Sequence, residues 1–310
     1  MTVGGIGESM NILYLPIWFF RAKLLGKRAP LQTVLSITDY CSLKCRHCAP
    51  ATHSCTRMKP FQQIQDELRY AYDLGSRFLD LEGGEPVLWR DGNLALNDII
   101  RLAKNIGFAT VTVTTNAQQP FSGVEADSIW VSLDGIGRYH DAIRGEGAFA
   151  RLKANTADCG HPSLSANMVI NPVNRESVGE TAAWVRDNPV FRSISFNFHT
   201  PWPDAEDMTL PPNERVKVID EILELKKQGH PIMNSYSGLK LMRRSGFKKY
   251  CWVTNFILTD GSRHASCPGA EIGLCDRCGF CMASEMSAVM SLRPDTILSG
   301  LSLRMGIRVN

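Results

Sequence analysis

The stretch Thr33-Val-Leu-Ser-Ile37-Thr-Asp-Tyr-Cys41-Ser-Leu-Lys-Cys45-Arg-His-Cys48 joins a short β-branched run to three closely spaced cysteines. Its first five residues suit a buried strand, and its cysteines fall in the loop leaving the strand's carboxyl end. Three thiolates this close can converge on one metal centre, whereas a closed structural zinc site needs four ligands and no fourth cysteine lies at a finger-like distance. On a four-iron cluster, three cysteines leave one iron open, as coordination of a substrate or cofactor requires. His47 would complete a zinc site only with strain, because it sits inside the Cys45-to-Cys48 loop.

Six β-type runs, 33–37, 78–81, 110–114, 129–133, 164–170 and 193–198, alternate with helical stretches, the pattern of parallel βα units. The clearest helix, 213–227, repeats Val216, Ile219 and Leu223 at helical spacing and is closed by Gly229. Consecutive right-handed βα units curl towards a barrel, so the sequence predicts an α/β fold, a partial (β/α)6 TIM barrel, with its chemistry on loops at the carboxyl ends of strands. Those loops carry Glu82-Gly83-Gly84-Glu85-Pro86, whose glycines permit close backbone approach to a ligand and whose Glu85 can face a cationic amine. Thr114-Thr115-Asn116 and Ser132-Leu133-Asp134-Gly135 offer hydrogen bonds to a polar ligand. His199, Thr200 and Trp202 follow the sixth run as candidate substrate contacts, and Asp134 or Tyr139 is a candidate proton acceptor or donor.

The chain has 310 residues, 44% hydrophobic and 21% charged, which excludes a disordered or fibrous protein and leaves room for one large domain or two small ones. Lys+Arg 34 against Asp+Glu 31 gives +3 with the signs interspersed, so no basic stripe for a nucleic acid is present. The longest uncharged apolar run, 9–20, is too short to cross a bilayer and contains Pro16. Basic residues follow that run rather than precede it, unlike a secretory signal, so a cytoplasmic location is expected. In that compartment ten cysteines read as thiols and metal ligands, with Cys55 and Cys159 standing apart as isolated thiols.

A second group comprises Cys251, Cys267, Cys275, Cys278 and Cys281, with ferredoxin-like spacing at its end. Thr259-Asp260-Gly261 reads as a hairpin turn that draws Cys251 and Cys267 together. Five cysteines for four ligand places leave one spare, and a four-cysteine zinc knuckle is the structural alternative. Met282, Met286, Met290 and Met305 suit a core or a cover for this centre. The expected organisation is an apolar, basic-ended segment at 1–31, a barrel at 32–230 and a cysteine-rich region at 231–310.

In order, the C-x3-C-x2-C motif after the first strand and Gly83-Gly84-Glu85-Pro86 after the second resemble the radical S-adenosylmethionine (radical SAM) enzyme family across roughly 32–230. The resemblance implies that Cys41, Cys45 and Cys48 ligate a [4Fe-4S] cluster whose open iron chelates the methionyl amine and carboxylate of SAM. It implies that Gly83, Gly84, Glu85 and Pro86 hold that amine, that Asn116 and Ser132 lie near the ribose and sulfonium, and that His47 stands beside the adenine. The segment from His140 to Arg144 resembles the family's loop after the fourth strand, with a structural role for Arg144 as the alternative. An external electron donor of flavodoxin or ferredoxin type follows, since one electron must enter the sulfonium to give a 5'-deoxyadenosyl radical.

The C-terminal cysteines resemble the auxiliary-cluster extensions called SPASM or twitch domains, which implies a second [4Fe-4S] cluster, although the cysteine spacings depart from the usual pattern. Residues 12–28 and an expected helix over 211–235 resemble the hopanoid adenosyltransferase subgroup. That likeness raises a lipid or isoprenoid substrate and peripheral membrane contact through 12–28, with packing across the open barrel as the alternative. Hydrogen abstraction and adenosyl addition to a small molecule both stay open, as do a peptide-modifying enzyme and a non-catalytic zinc-binding regulatory protein.

Overall fold

The computed structural model describes residues 14–48, 56–203 and 205–304, without the side chains of 301–304; Cys55, Met305 and residues 12 and 13 lie outside this set. Six strands follow the expected alternation: β1 Gln32–Thr38, β2 Phe78–Gly83, β3 Thr110–Thr115, β4 Ser128–Ser132, β5 Leu164–Ile170 and β6 Phe191–Phe198. Two shorter strands, β7 Thr254–Ile257 and β8 Arg263–His264, complete an eight-stranded sheet of order β8-β7-β1-β2-β3-β4-β5-β6. Every pairing is parallel except β7 with β8, where the expected hairpin closes as Leu258 N donates to Ser262 O at 3.0 Å.

Alternation along the strands divides the sheet into two unlike faces. Leu35, Ile37, Leu79, Leu81, Val111, Val113, Ile129, Val131, Ala166, Met168, Ile194 and Phe196 form one face, fully buried in a core completed by helices such as Phe61–Asp73 and Leu96–Ile106. The opposite face is polar. It pairs Thr112 with Ser128, Ser165 with Ser193, and Asn197 with Asn167 across neighbouring strands, and Thr114 with Glu82. Helices thus cover the apolar face, and the polar face is the inner wall of the partial barrel.

The helix expected at 213–227 is Pro212–Lys227, but its buried stripe is Val218, Ile219 and Ile222, with Val216 and Leu223 half-buried. It does not continue to 235. Gly229 takes φ +85 and Pro231 follows, after which Ile232 bridges to Ile194 beside β6.

The cysteine-rich region shares this sheet. β7 lies along the free edge of β1, and beyond β6 the Phe198 amide donates to the Gly279 carbonyl at 2.8 Å. Both edges of the open barrel are therefore engaged by one C-terminal stretch. The N-terminal helix α1, Tyr14–Leu24, buries Trp18 and Ala22; Trp18 stacks at 5.8 Å on Trp252, and Lys23 Nζ donates to Met290 O at 2.7 Å. Among the described residues no helix is long and apolar enough to cross a membrane.

Candidate active site

The loop bearing Cys41, Cys45 and Cys48 leaves β1 and is stitched to the loop leaving β2. Gly84 N donates to Thr38 O at 2.7 Å and Glu85 N to Tyr40 O at 2.8 Å. A side chain at Gly83, where φ is +136, would collide with the Thr38 carbonyl, and one at Gly84 with the Asp39 and Tyr40 carbonyls. The close approach these glycines permit is thus to the cysteine loop itself.

Glu85 is 1% exposed and engaged by protein donors: Oε1 accepts from Val87 N at 3.2 Å and Thr115 Oγ1 at 2.8 Å, and Oε2 from Asn116 N at 2.7 Å. It ties the end of β2 to the end of β3. Burial pushes its carboxyl up to about 7 against those hydrogen bonds. Pro86 is buried at the first position of the short helix that Glu85 caps.

The three thiols are neighbours: Cys48 acts on both Cys41 and Cys45, and Cys41 on Cys45. Burial pushes Cys45 up to about 11, with Cys48 and Cys41 adding to it and Arg144 opposing. Cys41 is raised likewise by burial, with Glu85 and Cys48 adding. Two side chains donate to these sulfurs: Asn116 Nδ2 to Cys41 Sγ at 3.4 Å and Arg144 to Cys45 Sγ at 3.8 Å. Asn116 is 5% exposed, and Ser132 lies half-buried on the polar face of β4.

Arg144 is held by Asp134, which accepts from its Nε at 2.7 Å and from Val169 N at 2.9 Å. Asp134 is fully buried; burial pushes its carboxyl up, but Arg144, His47 and His140 outweigh this and hold it below the ordinary value. Asp134 thus anchors Arg144, which reaches Cys45 of the cysteine loop. Tyr139 is engaged by Glu176 at 3.4 Å near the surface.

His47 lies 3.6 Å from Asp134 and edge-on to His199 at 6.5 Å, while its buried Nδ1 has no partner. Burial lowers its pKa despite Asp134. Among the described residues this nitrogen is a buried polar atom free to meet a cofactor. His199 Nε2 meets Ala205 O at 3.1 Å, Thr200 Oγ1 accepts from Gly279 N at 3.0 Å, and Trp202 lies against Gly269. Thr200 and Trp202 thus touch the C-terminal cysteine region.

In that region Cys251 is pushed up to about 11 by burial and then by Cys267, Cys278 and Cys275; Cys267 is raised by burial and by Cys278 and Cys275. Four thiols thus form one neighbourhood. Cys281 stands to one side, 2% exposed, with its amide donating to Asn197 at 2.9 Å and only Cys278 of the others acting on it. Arg215 on Pro212–Lys227 donates to Cys278 O at 2.9 Å, and its charge opposes the rise of Cys281. Sequence reasoning missed Arg215 and Asn197, whose neighbours along the chain carry no motif. Among the described residues no three His, Cys, Asp or Glu side chains are arranged to hold a single metal ion.

A barrel-type sheet with three cysteines on the loop after its first strand defines a class, and sequence comparison agrees: residues 35–185 match the model of the Radical SAM superfamily. Over residues 35–185 the chain thus carries a radical SAM domain, the domain of an enzyme family that implies a [4Fe-4S] cluster and SAM. It is 31% identical over 173 residues to the GTP 3',8-cyclase of Edwardsiella ictaluri, covering 50% of this chain and 51% of that protein. The GTP 3',8-cyclase of Pectobacterium atrosepticum is 30% identical over 174 residues, with 50% and 51% covered. The chain spans about half the length of the curated relatives it matches.

Among solved structures, Streptococcus suis SuiB bound to S-adenosylmethionine gives a TM-score of 0.61 at 16% identity, covering 87% of this chain and 67% of that one. Methylornithine synthase (PylB) gives 0.58 at 13% identity, covering 94% and 90%. At these identities the likeness is one of fold, and it agrees with the partial barrel.

Proposed function

We propose that Cys41, Cys45 and Cys48 hold a [4Fe-4S] cluster whose remaining iron takes SAM, and that the chain acts on a polar small molecule bound against the inner wall of the barrel. The observation that carries this reading is the placement of the three-cysteine loop at the end of β1, where Asn116 and Arg144 donate to two of its sulfurs. When bound, the cluster supplies one electron to SAM and so gives access to a 5'-deoxyadenosyl radical. The chain's own part is positional. Asn116 and Arg144 stabilise thiolate charge, Asp134 fixes Arg144, and Glu85 fixes Asn116 through its amide. His47, Gly83, Gly84, Glu85, Pro86, Asn116 and Ser132 would line the SAM site.

A polar substrate is favoured by the inner wall, where Thr112 with Ser128, Asn197 with Asn167 and Thr114 with Glu82 pair across strands and keep further hydrogen-bonding capacity that an isoprenoid would not use. Nucleotides fit that chemistry, as do polar peptide side chains. The relatives' names, GTP 3',8-cyclase, point the same way and lend nothing to a lipid substrate.

A second [4Fe-4S] cluster is assigned to Cys251, Cys267, Cys275 and Cys278 within 231–310, leaving Cys281 as the spare thiol. One zinc ion would draw its sulfurs to within about 4 Å of one another, whereas a cluster lets each thiolate meet its own iron. An external donor of flavodoxin or ferredoxin type would supply the electron.

The test is anaerobic reconstitution with iron and sulfide, reduction with dithionite and quantification of 5'-deoxyadenosine from SAM. A Cys41, Cys45, Cys48 triple-Ala variant serves as control. Product from the native protein only, stimulated by a nucleotide rather than an isoprenoid alcohol, is the expected result. A colourless, zinc-loaded preparation that dithionite does not bleach would defeat the reading.

A further inference from the structure

Helix Tyr14–Leu24 turns an apolar face outward. Ile17, Phe20 and Leu24, at helical spacing, are 46%, 51% and 68% exposed, and Leu25 just beyond is 55% exposed. Among the described residues nothing covers this face, and four contiguous bulky apolar side chains in water mark an interaction site. Beside it opens a cleft of ≈ 280 Å³ whose lining includes Lys23, Arg28, Lys248, Lys249, Tyr250 and Trp252. Arg21 and Lys27 are exposed nearby, and neither 14–31 nor 244–253 contains an Asp or Glu. Trp18 packs at 5.8 Å against Trp252 and so fixes the helix beside the segment that lines the cleft.

We propose that this surface docks on an anionic phospholipid bilayer, with Phe20, Leu24, Ile17 and Leu25 entering the acyl boundary and the cleft cations receiving lipid phosphates. Cations with no acidic partner among the described residues complement a negative membrane, and an apolar helix face flanked by Lys and Arg is the chemistry of interfacial helices. Lysine is depleted at protein interfaces, which favours lipid over an acidic protein as the occupant. The inference stands apart from the chemistry at Cys41, so its failure leaves that reading untouched.

The full chain, purified anaerobically, is sedimented with vesicles of phosphatidylcholine alone or of phosphatidylcholine with phosphatidylglycerol. Binding to the anionic vesicles that salt reverses is the expected result, with little binding to the neutral ones. The double variant Arg28→Ala, Lys248→Ala should weaken binding by about thirtyfold, taking about fivefold per cation near an anionic surface. The double variant Phe20→Ser, Leu24→Ser should weaken it by at least about tenfold, as apolar burial near the interface requires. All four substituted side chains are exposed, and circular dichroism checks that the fold persists. Equal binding to both vesicles, or none to the anionic ones at low salt, would overturn the proposal. So would the same affinity for soluble polyglutamate with the Phe20 and Leu24 variant unaffected, which would assign the surface to an acidic protein.

Discussion

Asp134 is fully buried and held in its charged form by Arg144, so the cysteine loop rests on an ion pair that water never reaches. Breaking such a pair from one side leaves an uncompensated buried charge, and Asp134→Asn is expected to cost about 3–5 kcal/mol at neutral pH in urea unfolding. The carboxyl is held below its ordinary value, so its contribution is present above the usual carboxylate range and is lost as pH falls through the lower folded value. The native and variant stabilities should therefore converge below roughly pH 4. A constant gap down to acid pH would show that the pair does not carry the difference. The cysteines allow a second test at this scale. Cys281→Ala should keep the native iron content, whereas Cys278→Ala should lose about half of it, as two four-iron clusters imply. The opposite pattern would make Cys281 the ligand.

Between elements, the contact that matters most is the seam at Gly279. A Cβ there would collide with the carbonyls of Phe198 and His199, while Gly279 O accepts from Phe198 N at 2.8 Å and Gly279 N donates to Thr200. The cysteine region can lie this close to β6 only because the residue has no side chain. Gly279→Ala should therefore free the C-terminal loop from the barrel. Iron analysis should give a loss confined to the second group, with SAM cleavage at the Cys41 group retained. Full iron content in this variant would mean that the seam is dispensable.

For the whole molecule, the sheet has two edges and the C-terminal stretch engages both, through β7 on β1 and Gly279 beyond β6. Removing 245–310 would leave both edges open to pairing with other chains. Size-exclusion chromatography should then show aggregates where the full chain shows a discrete species, and a well-behaved shortened chain would refute the point. A sheet covered by helices on both sides would need strands apolar on both faces, whereas here the second face is polar and forms the inner wall.

The six barrel strands were legible because β-branched and aromatic runs recur between helical stretches, and β5, Leu164–Ile170, has the bounds the sequence suggests. The C-x3-C-x2-C spacing and the hairpin at 259–261 were legible for the same reason, since each is a local arrangement of residues close along the chain. What needed the tertiary structure is all long-range. The sequence could not assign Glu85 to Thr115 and Asn116, or Arg144 to Cys45 across 99 residues. Nor could it separate Cys281 from its four neighbours or rotate Thr200 and Trp202 onto the cysteine region. Local pattern specifies which segments become strands and helices. Which polar group meets which is decided by packing, because a buried donor or acceptor takes whichever partner the folded chain brings within reach.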